Sequence, residues 1–280
     1  MDNFAHQDSK TYLMAKQATV SLIISTYNNT DYLELVLLSI LQQKTLPDEV
    51  IIADDGSRSD TKDLIHKYQQ ILSVPLHHFW HEDDGFRLSE IKNKAAAQAQ
   101  CDFIFFIDGD LMLHPHFIYD LKGQIRENRF IVASRAFLSE HFSKKIVESK
   151  NVAIPFSTST FERNMLSAIR IPWLHHFIKG STTYKGARGG LMGLFKKDYI
   201  TVNGFDEDYK GWGREDSDLF VRLINSGLER KNIKFAAITY HLWHKILSRE
   251  GLSKNDALLA NAIAEHRTRC INGIDKYLKA

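Results

Sequence analysis

At 280 residues, with 44% hydrophobic and 25% charged residues, the chain has the composition of one large or two small globular domains, which excludes disorder. Lys plus Arg total 36 against 34 Asp plus Glu, so no overall field favours a nucleic-acid partner. Cys101 and Cys270 are too few for a disulfide framework and point to a reducing compartment. The first 18 residues lack an apolar core, and no stretch approaches the roughly 20 apolar residues that cross a bilayer, so the expected location is cytoplasmic.

From residue 19 the pattern alternates. Residues 20–25 (VSLIIS) predict a buried strand, and residues 31–43 repeat apolar positions at helical spacing behind the cap region Asn28-Asn29-Thr30. Strands are predicted over 50–53, 76–80 and 103–107, and helices over 60–72 and 88–99. Strands that are apolar throughout and separated by helices imply a parallel sheet covered on both faces, with the ligand beyond the carboxyl ends of its strands. Residues 139–186 read as a long irregular segment. Order returns over 190–195, followed by a short helix near Lys197, a turn at Asn203-Gly204, a helix over 215–226 closed by Gly227, a strand over 233–238 and a helix over 255–278.

The residues after each strand carry the chemistry. Asp108-Gly109-Asp110 follows an apolar strand; alternation puts both carboxylates on one side, and the intervening glycine allows close backbone approach. Such oxygens suit Mn²⁺ or Mg²⁺ together with phosphate. Ser25-Thr26-Tyr27-Asn28 and Asp54-Asp55-Gly56-Ser57 end two further strands at the same edge, where a carboxylate accepts the imide N–H of uracil and an aromatic ring stacks on the base. Each tetrad alone is also good turn chemistry. Arg87 and Lys92, the latter followed by Asn93, are placed to reach a diphosphate leaving group. Glu215 and Asp216 open a helix beside Gly211-Trp212-Gly213, and the helix dipole is expected to hold their pKa values down. An ionised carboxylate there suits a general base, with the Trp212 indole packing on a sugar ring. His241 and His244 follow the expected strand over 233–238 back to the sheet edge, where a neutral imidazole completes the coordination begun by Asp110.

Together these segments resemble the family 2 glycosyltransferases of the GT-A fold. Gly85-Phe86-Arg87-Leu88 with Lys92-Asn93, and Gly189-Gly190 leading to Gly204-Phe205, are similar to bacterial chondroitin polymerase and the polypeptide GalNAc-transferases. Trp212-Gly213-Arg214-Glu215-Asp216 is similar to the acceptor segment of the β-1,4-galactosyltransferases. The resemblance covers roughly residues 19–250. It implies a GT-A-like α/β domain with a doubly wound, mixed but mainly parallel sheet flanked by helices. Residues 1–18 form an extension, 19–112 the nucleotide-sugar half, 113–250 the acceptor and catalytic half, and 251–280 a helical segment. By that resemblance Asp110, His244 and His241 bind the metal, and Asp216 is the catalytic base. Glu215, Trp212 and Gly190 then meet the acceptor, while Thr26, Tyr27, Asn28, Asp54, Asp55, Arg87, Lys92, Asn93, Asp108 and Gly109 hold the nucleotide sugar. Lys92 departs from the arginine common in related sequences. The implied reaction is metal-dependent, inverting transfer of a hexose or N-acetylhexosamine from a UDP-sugar to a hydroxyl of a bacterial surface glycan or glycolipid of lipopolysaccharide or capsule type, with room for peripheral contact at the inner membrane face. Two other readings are a sugar nucleotidyltransferase, disfavoured because Thr26-Tyr27-Asn28-Asn29 is no Gly-rich phosphate loop, and a non-catalytic glycan-binding module.

Overall fold

The computed structural model describes residues 18–184, 190–245 and 252–278. All but the last residue of the expected amino-terminal extension, and Gly189 of the Gly189-Gly190 pair, lie outside the described residues. The first half follows the predicted alternation. Strands β1 (Val20–Thr26), β2 (Glu49–Asp54), β3 (Leu76–Trp80) and β4 (Phe103–Asp108) run parallel in the order β4-β1-β2-β3. They are linked by α1 (Thr30–Leu41), α2 (Ser59–Gln69) and α3 (Leu88–Gln98). Every residue of β1 and β2 is buried, because helices cover both faces. Each fully buried Val, Ile, Leu or Phe here contributes about 1.5–3 kcal/mol. Asn29 caps α1 by accepting the Tyr32 N–H.

The second half holds short elements: β5 (Leu111–Leu113), α4 (Phe117–Lys122), β6 (Arg129–Val132), β7 (Arg135–Leu138), α5 (Glu140–Ser149) and β8 (Phe161–Arg163). Residues 139–186 are therefore not simply irregular: their described part contains α5, β8 and the 3-10 turns Met165–Ala168 and Pro172–Phe177. Next come β9 (Leu191–Phe195) and, as predicted, α6 (Lys196–Thr201) and α7 (Glu215–Asn225). The strand expected over 233–238 is displaced. The chain pairs before it as β10 (Glu229–Asn232) and after it as β11 (Thr239–His241). Between them Phe235 and Ala237 adopt φ of 62° and 44°, which breaks an extended run. The long helix expected over 255–278 is also shortened. It forms α8 (Leu252–Ala264), reverses near His266 at φ 48°, and ends in the 3-10 turn Ile274–Tyr277.

Among the described residues the main sheet has seven strands in the order β10-β6-β9-β4-β1-β2-β3, and β9 runs antiparallel between β4 and β6. Strands from both halves of the chain thus share one sheet. A second sheet, β5-β11-β7-β8, stands beside its carboxyl edge, where Thr26 is level with Asp54 and Ser25 with Asp108.

Candidate active site

Asp108 ends β4, and Gly109 lets the chain turn where two backbones nearly touch: a Cβ there would lie 2.7 Å from the Ser25 carbonyl oxygen. Asp110 then leads into β5, which pairs with β11 so that Leu111 faces His241. The Asp110 carbonyl accepts the Leu242 N–H at 2.9 Å, which fixes the chain leading to His244. One carboxylate and two imidazoles are thereby brought within 4.8 Å of one another. His244 Nε2 lies 3.0 Å and His241 Nε2 3.6 Å from Asp110 Oδ2, and Asp110 Oδ1 is buried with no hydrogen-bond partner among the described residues. Burial alone would push the Asp110 carboxyl up, but the His244 hydrogen bond and the two imidazoles override it and hold the group low. The same bond raises His244 to about 9, while burial lowers His241. An ionised carboxylate, a neutral imidazole, and a second imidazole whose proton a cation would displace form a mixed O/N donor set that fits a divalent metal. The orphaned Asp110 oxygen offers a further ligand.

The second group of carboxylates lies on α7. Arg214, just before it, is held at φ 80°, a conformation that costs of order 1 kcal/mol or more for a non-glycine residue. The restraint comes from α8: buried Asn255 donates to the Lys210 and Gly213 carbonyls at 3.1 and 2.8 Å, and Asp256 pairs with Arg214 at 2.5 Å. The sequence offered no signal for this clamp. It leaves Trp212 partly exposed on the Gly-Trp-Gly loop. Gly190, with φ +74°, sits between Asp108 and Asp216: a Cβ there would lie 1.9 Å from Asp108 Oδ2. Its carbonyl accepts the Asp108 N–H at 3.2 Å, and its own backbone bonds to Asp216.

Two expectations are corrected here. Lys92 does not reach outward toward a diphosphate. It is 1% exposed, with Nζ 3.8 Å from Asp108 Oδ1 and 5.2 Å from the Phe205 ring centroid, so it lies beneath the carboxylates. Nor does the helix terminus hold the α7 acids low. Burial pushes Glu215 up to about 8, with Asp216 adding repulsion and Lys92 opposing, and burial likewise raises Asp216 against the pull of Lys92. A helix N-terminus is worth about 0.3–1 kcal/mol, whereas burying a charge costs several, so desolvation wins.

At the expected nucleotide edge, most named side chains support one another. Asp54 Oδ1 accepts the Ser57 N–H at 2.8 Å and its Oδ2 meets His78 at 2.9 Å. Asp55 meets His81 at 2.7 Å and accepts the Arg87 N–H at 3.0 Å. Both acids are buried, so neither stands open to a base as expected; His78 and His81 are the partners that the sequence reading missed. Asn28 accepts the Arg58 N–H, and its own N–H donates to Ser57. Asn93 is a correction too: it is fully buried, binding Phe205 and Glu207 through Nδ2 and accepting the Tyr199 hydroxyl, so it holds the core. The Arg87 side chain pairs with Glu90 at 3.6 Å and with the Glu82 carbonyl. Thr26 is buried beside Gly109. Tyr27 is half exposed, its hydroxyl donating to Asp83 at 3.0 Å, and Trp80, not singled out from the sequence, is exposed at the end of β3 with its indole N–H on the Ser57 carbonyl.

Comparison with known proteins agrees with this architecture. The family described as glycosyl transferase family 2 matches residues 21–181, and one described as the N-terminal domain of galactosyltransferase matches residues 175–245. The chain belongs to glycosyl transferase family 2, and its fold is GT-A. Chondroitin synthase of Escherichia coli is 23% identical over 238 residues, covering 79% of this chain but only 34% of that protein. The chain therefore spans about a third of that relative's length. The structure of S. aureus TarS in complex with UDP superposes with TM-score 0.60 at 17% identity, over 89% of this chain and 68% of that one. The mannosyltransferase PcManGT from Pyrobaculum calidifontis, in complex with GDP-Man and Mn²⁺, gives TM-score 0.59 at 14% identity, over 90% and 69%.

Proposed function

We propose that this glycosyltransferase is metal-dependent and inverting, moving a hexose or N-acetylhexosamine from a UDP-sugar to a hydroxyl of a surface glycan or glycolipid. The observation that carries the reading is the bridge through Gly190, which ties Asp108, two residues from the metal-type cluster, to the half-buried Asp216. Asp110, His241 and His244 would hold the ion, and two imidazoles favour Mn²⁺ over the strictly oxygen-seeking Mg²⁺. A divalent ion there supplies positive charge to the diphosphate oxygens. The PcManGT complex with Mn²⁺ and the TarS complex with UDP support that assignment by likeness of fold.

Asp216 takes the proton from the acceptor hydroxyl, whose oxygen forms the new bond to the anomeric carbon as the bond to the diphosphate oxygen breaks. A base works best when its pKa approaches the working pH, so the upward shift that burial gives Asp216 strengthens it. Lys92 opposes that rise. Trp212 presents its indole to the acceptor ring, and Tyr27 offers the exposed aromatic face for the base of the nucleotide. The test is UDP release from a panel of UDP-sugars with Mn²⁺, Mg²⁺ or excess chelator. Release that needs the metal and vanishes in Asp216→Asn supports the proposal. Full turnover in chelator overturns it, and release of inorganic pyrophosphate from a nucleoside triphosphate in place of UDP would turn the assignment to a nucleotidyltransferase.

A further inference from the structure

A second concentration of charge lies away from the catalytic edge. A cleft of about 550 Å³ opens where the amino ends of β6 and β10 meet the turn after α4. Arg126, Arg129, Lys179 and Lys231 line it against the single carboxylate of Glu229, which already pairs with Arg129 at 2.7 Å. The lining therefore keeps an excess of positive charge. The Lys231 ammonium donates to the Ile178 carbonyl, which ties the cleft to the preceding turn. That turn, Pro172–Phe177, leaves Trp173 65% and Phe177 75% exposed, their rings perpendicular with centroids 6.3 Å apart.

We infer that this cleft and the neighbouring aromatic pair dock the protein onto the anionic head groups of a phospholipid surface. Trp belongs at the water–lipid boundary, where the apolar ring is buried and the indole N–H stays wet, and an exposed Phe beside it gains by leaving water. Each Lys or Arg near an anionic leaflet adds to the attraction. An edge-on aromatic pair forms a wedge rather than the flat face on which a sugar ring stacks, which favours a membrane over an acidic glycan. No helix among the described residues is long and apolar enough to cross a membrane, so this attachment is peripheral. Arg129 begins β6 whereas Asp108 ends β4, and these strands run the same way on either side of β9. The cleft is thus at the opposite end of the sheet from the catalytic carboxylates, and docking there leaves that edge open to a water-borne donor.

The experiment is co-sedimentation of the full chain with vesicles of phosphatidylcholine alone or mixed in equal parts with phosphatidylglycerol. Binding is expected to the mixed vesicles only, weakening as salt rises. The double variants Arg126→Glu/Lys179→Glu and Trp173→Ala/Phe177→Ala should each lower the bound fraction at least about tenfold, with the thermal midpoint unchanged as the check on folding. Absence of binding to anionic vesicles, or equal binding by the charge-reversed variant, overturns the inference. Retention on immobilised heparin without vesicle binding also overturns it, and reassigns the cleft to an acidic glycan.

Discussion

Asp54-Asp55 and Glu215-Asp216 are both adjacent acidic pairs at the ends of secondary-structure elements, yet the structure treats them in opposite ways. Each carboxylate of the first pair is closed by an imidazole and a backbone N–H. In the second pair, Glu215 Oε2 and Asp216 Oδ1 are buried with no hydrogen-bond partner among the described residues, and so is Asp110 Oδ1 in the metal-type cluster. An unpartnered buried oxygen costs about 1–3 kcal/mol, and a fold keeps such an expense where something else is gained. The difference separates carboxylates tied into the end of β2 from carboxylates left available for a proton or a cation.

The largest effect should come from the available set. Asp216→Asn keeps the side-chain size but cannot take a proton, so kcat should fall about 10²- to 10⁴-fold with UDP affinity retained. A near wild-type rate measured as UDP release in the presence of acceptor would remove Asp216 from the chemistry. Next, Asp110→Ala should leave UDP binding, read by calorimetry, insensitive to added metal, with a loss beyond the roughly 10- to 100-fold typical of supporting residues around a metal. His244→Ala should show the same sign with a smaller loss, because His241 remains. Unchanged UDP affinity in Mn²⁺ for both variants would show that the cluster only pairs charges.

The closed set should respond in stability instead. Asp55→Ala strands His81 Nε2 and the Arg87 N–H, at about 1–3 kcal/mol, read as a lowered denaturant midpoint. Asp216→Asn should leave that midpoint nearly unchanged. If Asp55→Ala weakens uridine binding without any loss of stability, the two pairs are not divided as argued, and Asp55 reads the base as the sequence alone suggests.

The two regions were also unequally legible. Val20–Thr26, Glu49–Asp54 and Phe103–Asp108 are long apolar runs flanked by helices, and one sequence suffices to place their carboxyl ends and hence Asp108. Strands of three or four residues such as Leu111–Leu113 and Thr239–His241 carry no period, so the second sheet was invisible although the residues it gathers, Asp110, His241 and His244, were not. The Asn255 clamp is a single polar residue inside a helix, and only the tertiary contact reveals its work. Charge state was the least legible quantity: the helix start of Glu215 was plain, but its burial by packing from distant segments was not, and burial sets its protonation.

That last point gives the sharpest contrast within one residue. Burial raises Glu215 from 4.5 to about 8 in the folded chain, whereas the unfolded chain ionises near the ordinary value. Below about pH 4.5 both states hold the proton and the shift costs nothing. As pH rises from there to about 8 the unfolded state gives up its proton and the folded state keeps it, so stability falls; above 8 the penalty is complete. Glu215→Gln cannot titrate, and any fixed cost of burying its amide is the same at every pH. The difference in thermal midpoint, variant minus wild type, should therefore grow by several degrees between pH 5 and pH 8, measured without metal or nucleotide. A flat or shrinking difference would mean that Lys92 neutralises Glu215 in the folded state, and the acid pair on α7 would then be an ion cluster closed from beneath rather than a pair left open for chemistry.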